Sequence, residues 1–304
     1  MNIQSPGSRL RANWGLWSVE RGKWNLNRTL DDKTLENIAK AYGADKNALS
    51  ATKKLIDPKD EQWKAVGKVY GDLKKWLDAN SHPWIAGKGK VLIRQQDTGL
   101  LHDTIAGLVT RLDQETAALD AKLGFLKRDA ETRYLKDWYD ESQYPDRVSD
   151  LFSINVKPEA LEPPAWLRNE NQQAFTAAMA AIEAQCLGAV DKIRGQFLSD
   201  LKERVSKLGE RMEQNEDGTY KQFGPTTLTN ISDMFERFKR LQIGCDGEIE
   251  DLVNEVNSIV TPVDPELLKD SATMRDYLSD QMGHFDTRID ELLGQTQTRA
   301  FRID

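Results

Sequence analysis

Twelve side chains in the first third of the chain combine positive charge with large aromatic faces: Arg9, Arg11, Trp14, Trp17, Arg21, Lys23, Trp24 and Arg28, then Trp84, Lys88, Lys90 and Arg94. Cations interleaved with indole rings are the residue types that meet phosphates while stacking bases. Arg21, Lys23, Lys88, Lys90 and Arg94 are therefore the candidate nucleic-acid-binding residues. The competing reading has Trp17 and Trp24 packing a core, as large aromatics do, and leaves the cations solvated. Charge distribution favours the same end of the chain. Residues 1–100 carry 18 Lys and Arg against 11 Asp and Glu, so with a net charge of -7 overall the other 204 residues carry -14. One end attracts a polyanion and the other repels it.

Other patterns point to no reaction. Gly87-Lys88-Gly89-Lys90 lacks the GxxxxGK[ST] spacing with which backbone amides cradle phosphates, and reads as a tight turn into a strand at Val91. His82, His102 and His284 have no spacing that places two on one helix face for zinc, and they are too sparse for a nucleophile–histidine pair. Asp137, Asp140 and Glu141 beside Trp138, Tyr139 and Tyr144 offer oxygens to a hard cation, but a run of acids alone lacks fixed geometry, and a solvated helix end before Pro145 is the preferred reading. No catalytic, cofactor-binding or metal-ligating set is nominated, and the expectation is a protein that is not an enzyme.

Cys186 and Cys245 are too few for a disulfide framework and suit a reducing compartment. The start of the chain lacks the apolar core of a signal peptide, and no apolar run reaches membrane-spanning length. These features predict a cytoplasmic protein with no membrane partner.

Hydrophobic spacing supplies the elements. Trp14 to Arg28 reads as a β-hairpin turning at Arg21-Gly22, with Glu20 opposite Lys23, Val19 opposite Trp24 and Trp17 opposite Leu26. Lys88–Arg94 and Leu151–Lys157 alternate as further strands. The first of these places Val91 and Ile93 inward and Lys88, Lys90 and Arg94 outward. Helices are predicted over 32–42 up to Gly43, over 45–56, from an Asp57 cap with Pro58 at the first position to a stop at Asn80-Ser81-His82-Pro83, and through the series Leu101, Ile105, Leu108, Leu112, Leu119, Leu123, Leu126. The Pro-rich stretch 157–164 marks a boundary, dividing the chain into 1–158 and 159–304. Beyond it come three long heptad-patterned helices: about 165–212, Ile231 to Ile259, and Leu267 to Leu292. They are joined by connectors at Asn215–Pro225 and at Pro262/Pro265. The predicted fold is mainly α: an N-terminal α+β domain with a small antiparallel sheet, then an elongated antiparallel helical bundle or coiled coil.

The N-terminal residues resemble a bacterial and phage family known as domain of unknown function 3150. The likeness rests on Trp17 to Trp24 leading into Leu30, on Gly43-Ala44-Asp45-Lys46 with Lys53-Lys54-Leu55, on Pro83-Trp84 before Gly89, on Tyr144-Pro145, and on Phe152-Ser153-Ile154-Asn155-Val156 before Pro158. It covers residues 14 to about 158 and carries no catalytic residue. It implies a phage or mobile-element protein, in the host cytoplasm if phage-encoded, of a kind often encoded beside MoxR-type AAA+ ATPases and proteins with von Willebrand A-like domains, and so a protein partner, with an AAA+ ATPase as one candidate.

Two function classes follow. In the first, the chain is a non-enzymatic scaffold or adaptor that self-assembles or docks on a protein through its long helices. Its assembly residues are Phe197, Leu201, Val205, Leu208 and Met212, because helices of unequal length leave part of the longest seam wet; Phe175 and Met179 at the opposite end are the alternative. A homo-oligomer is expected. In the second, the basic tryptophan-rich region binds nucleic acid in replication, recombination, defence or anti-defence.

Overall fold

The computed structural model describes residues 5–215, 221, 226–243, 247–264, 268 and 271–300. In chain order the elements are α1 (Pro6–Asn13), β1 (Trp14–Gly22), β2 (Asn27–Thr29), α2 (Asp32–Tyr42), β3 (Thr52–Lys54), α3 (Glu61–Asn80), β4 (Ser81–Pro83) and β5 (Lys90–Arg94). They continue with α4 (Thr98–Asp129), β6 (Ser153–Glu159), α5 (Ala165–Glu170), α6 (Gln172–Met212), α7 (Thr226–Leu241), α8 (Gly247–Val260) and α9 (Ala272–Ala300). The fold is mainly α, with its strands in the N-terminal half and long helices after residue 164.

Two compact units result: an α+β unit of residues 17–78 and 97–158, and a helical unit of residues 1–16, 79–96 and 159–304. One boundary between them falls at 158/159, and the earlier segments 1–16 and 79–96 group with the helices. The reason is burial: Leu10, Trp14, Leu16, Trp84 and Leu92 share a core with Cys186, Ala189, Val190, Leu241 and Ile243. Segments as short as α1 and the β4–β5 ribbon cannot bury their own apolar side chains, so they take cover on the helices.

Within the α+β unit the expected hairpin is replaced. Arg21-Gly22 is not a turn; β1 runs through it. A Cβ on Gly22 would lie 2.6 Å from Ser153 Oγ and 3.1 Å from the Leu151 carbonyl, so this glycine permits close approach to the chain at the start of β6. Gly22 N–H donates to Ser153 Oγ (3.2 Å), and Tyr70 Oη donates to the Gly22 carbonyl (2.6 Å). Glu20 accordingly pairs with Lys157 at 3.4 Å, and Lys23 lies over the Tyr70 ring. β2 pairs antiparallel with β3, Arg28 opposite Lys53, where the sequence predicts a helix over 45–56. Only one 3₁₀ turn, Lys46–Ala48, forms there.

Trp17, Val19, Trp24 and Leu26 are nonetheless all buried. Trp24 meets Trp63 edge-on at 6.0 Å, and Trp63 meets Phe152 likewise at 6.0 Å. The Tyr144-Pro145 pair is structural: Tyr144 is buried and donates to the Leu55 carbonyl. Thr116, polar within the leucine series of α4, donates to the Leu112 carbonyl at 2.8 Å, which is why it is tolerated inside.

The cap of α3 is Asp60 and not Asp57. Its carboxylate accepts from the amides of Gln62 (2.9 Å) and Trp63 (3.1 Å) and from Lys122 Nζ (2.6 Å). Asp60→Ala is expected to cost about 1–2 kcal/mol, and Asp57→Ala less; urea denaturation of the two variants checks the assignment.

In the helical unit α6 and α9 run antiparallel: Lys202 meets Asp290, Ser206 meets Asp286, and Gly209 faces Met282. α7 runs antiparallel to α6 as well, with Phe197 stacked on Phe238 (centroids 4.0 Å apart) and Arg204 donating to the Asn230 carbonyl. The expected helix from 165 breaks at Asn171, whose side chain caps α6 by accepting from Ala174 N (2.9 Å). The expected helix over 231–259 is two, α7 and α8. Cys245, Pro265, Leu267 and most of the Asn215–Pro225 connector lie outside the described residues.

The seam residues proposed for assembly are interior. Leu201, Val205 and Leu208 are fully buried and Met212 nearly so, in one core with Phe235, Leu252, Val256 and Phe285, against which Phe197 packs. α7, α8 and α9 together cover the stripe that a three-helix estimate left wet. Phe175 is half-buried under the Arg168 guanidinium, 4.8 Å from the ring centre.

Candidate functional site: a basic cleft

Four cations, Arg9, Arg94, Lys239 and Arg240, line a cleft of about 450 Å³ in the helical unit, together with Asn13, Gln95 and Gln242. Among the described residues that line it, none is a carboxylate. Three separate segments build it: the end of α1, the end of β5 and the last turn of α7.

Backbone carbonyls hold the cleft in shape. Arg94 Nη1 donates to the Arg240 carbonyl (2.8 Å), Arg240 Nη2 to the Ala79 carbonyl (2.6 Å) and Gln95 Nε2 to the Arg11 carbonyl (3.2 Å). Arg94 and His82, which meets the Leu241 carbonyl at 2.8 Å, thereby satisfy the last two carbonyls of α7. This removes the partial negative charge that a bare helix C-terminus would place beside an incoming anion. α1 is anchored by Glu183 of α6, which accepts from Ser5 Oγ (2.6 Å) and pairs with Arg11 (2.8 Å). A Cβ on Gly7 would collide with that carboxylate.

Chemically the cleft offers planar guanidinium forks and an ammonium at fixed positions, the donor set that recognises phosphate oxygens. His82 beneath it is partly buried among Trp14, whose ring lies 5.2 Å away, and the end of α7. Desolvation, and then the nearby Arg237 charge, outweigh its hydrogen bond to Leu241 and lower its pKa to about 4. At neutral pH it is an uncharged donor.

Of the five residues named from sequence, only Arg94 lines the cleft. Arg21 and Lys23 belong to the α+β unit. Lys88 is exposed on the β4–β5 turn, where Gly87 and Gly89 have positive φ, and Lys90 is ion-paired with Glu159. Ile93 of β5 is fully buried, and Leu92 next to it is fully buried as well. Trp14, Trp17, Trp24 and Trp84 are buried too and present no stacking platform. Lys239 and Arg240 were missed because two cations ending a helix are expected on dipole grounds alone.

Asp140 caps a 3₁₀ turn by accepting from Ser142 N (3.0 Å), and among the described residues no group of three or more acidic, His or Cys side chains could hold a metal ion. None of the described helices is long and apolar enough to cross a membrane. Comparison with protein-family models, curated proteins and solved structures finds no significant match to this chain.

Proposed function

We propose that the chain is a non-enzymatic adaptor whose helical unit holds a nucleic-acid backbone in the Arg9–Arg94–Lys239–Arg240 cleft. The observation that carries this reading is the convergence of four cations from three separate segments on one cleft, with no carboxylate among its described lining residues. Buried tryptophans make phosphate contact, and not base stacking, the mode of binding. The other side of the adaptor is a protein, an AAA+ ATPase in the family reading or a second copy of the chain. Among the described residues of the helical unit, Trp166, Met274 and Tyr277 are large hydrophobic side chains open to it. Membership of the domain of unknown function 3150 family, a phage or mobile-element origin and a cytoplasmic location belong to the same proposal, and the N-terminal motifs are their support.

Fluorescence anisotropy with labelled single-stranded and duplex oligonucleotides tests it. The double variant Lys239→Glu/Arg240→Glu, at exposed positions, is expected to lose about tenfold or more in affinity with its melting curve preserved. Equal binding by variant and parent would overturn the proposal.

A further inference from the structure

A second cavity in the helical unit is built on opposite chemistry. α6 and α7 enclose a space of about 120 Å³ against the stacked Phe197–Phe238 pair, with Ile193, Met234, Leu241 and Ile249 completing an apolar wall. Its described lining also holds Lys192, Arg194 and Arg237 against one carboxylate, Asp200, which accepts from Gln196 Nε2 at 2.8 Å. Arg237 is the telling group: its Nε is buried and has no hydrogen-bond partner among the described residues. A buried donor on a charged group left unsatisfied is costly, and proteins keep few of them.

Size, polarity and charge together narrow the occupant. An apolar cavity of about 150 Å³ accommodates a benzene ring, so this space matches one six-membered ring or a chain of about six carbons. Lys192, Arg194 and Arg237 in the lining, against Asp200, favour an anionic end on that ligand. We propose that this cavity binds a small aromatic or short-chain carboxylate, its hydrocarbon body against Phe197 and Phe238 and its carboxylate on Arg237. The site is independent of the nucleic-acid reading and stands or falls separately.

Titration of the full chain with benzoate and with hexanoate, followed by calorimetry and by the methyl NMR signal of Met234, is the test, with benzamide as the uncharged control. Both carboxylates are expected to bind with Kd below about 1 mM, to shift the Met234 methyl, and to outcompete benzamide at least about tenfold, the weight of one charge-assisted hydrogen-bonded pair. Arg237→Gln should erase that preference, and Arg237→Lys should restore part of it. If Arg237→Gln fails to fold, Ile193→Trp, which fills the cavity from α6, should abolish the Met234 shift instead. No binding of either carboxylate, or equal binding of benzoate and benzamide by the parent chain, would overturn the assignment.

Discussion

Leu201→Ala is expected to destabilise the helical unit by about 3–5 kcal/mol, and Leu201→Glu to abolish its cooperative unfolding transition. Leu201 is 0% exposed and sits in the core with Leu198, Val205, Phe235, Leu252 and Phe285. Truncation removes buried methyl groups and leaves a cavity between helices whose backbones are held elsewhere by pairs such as Lys202–Asp290. A glutamate there would be a buried charge facing hydrocarbon, a cost comparable to the whole stability of a domain. Thermal and urea denaturation followed by circular dichroism measures both effects. If the seam faced a second copy of the chain, Leu201→Glu would leave the fold intact and change only the mass in light scattering.

The second large effect is a pH dependence centred on His82. Its pKa is lowered to about 4 by desolvation, while the unfolded chain returns it to the ordinary value near 6.5. The folded state therefore favours the neutral ring, and the contribution is fully present above pH 6.5. As pH falls from about 6.5 to 4 the unfolded chain takes up a proton that the folded chain refuses, and stability declines by up to about 3 kcal/mol. Below pH 4 both states are protonated and this loss levels off. Carboxylates titrate at the lower end of the same range, so the readout is the difference between the parent chain and His82→Gln, which retains a donor for the Leu241 carbonyl. The variant should lose less stability than the parent between pH 7 and 4.5. Identical pH profiles would show that His82 is protonated in the fold.

What the sequence made legible was local. α2 ends at Gly43, in the left-handed region at φ 63°, as a helix followed by glycine should, and α3 stops at Asn80 ahead of the Ser-His-Pro run. The leucine series of α4 falls on the buried face. The misreadings concern partners distant in the chain. Gly22 looked like a turn because a missing Cβ serves both a turn and a close approach, and only the position of Ser153 decides between them. The break that starts α6 lies in six consecutive polar residues, Arg168 to Gln173, which interrupt the apolar series before Phe175; reading one helix from 165 passed over Asn171 as a cap. Arg94 was visible as one of many cations, but its neighbours Lys239 and Arg240 come from 145 or more positions later and no spacing rule connects them.

The most direct test of the nucleic-acid cleft is the salt dependence of oligonucleotide affinity in the parent chain and in single charge variants. Each phosphate contact contributes a slope of about −0.9 in log K against log salt on duplex DNA, so four contacts predict about −3 to −4. Arg240→Glu and Lys239→Glu should each reduce the slope by about 1, whereas Lys88→Glu, outside the cleft, should leave it unchanged. A slope near zero, or one that Lys88→Glu alters and Arg240→Glu does not, would contradict the cleft.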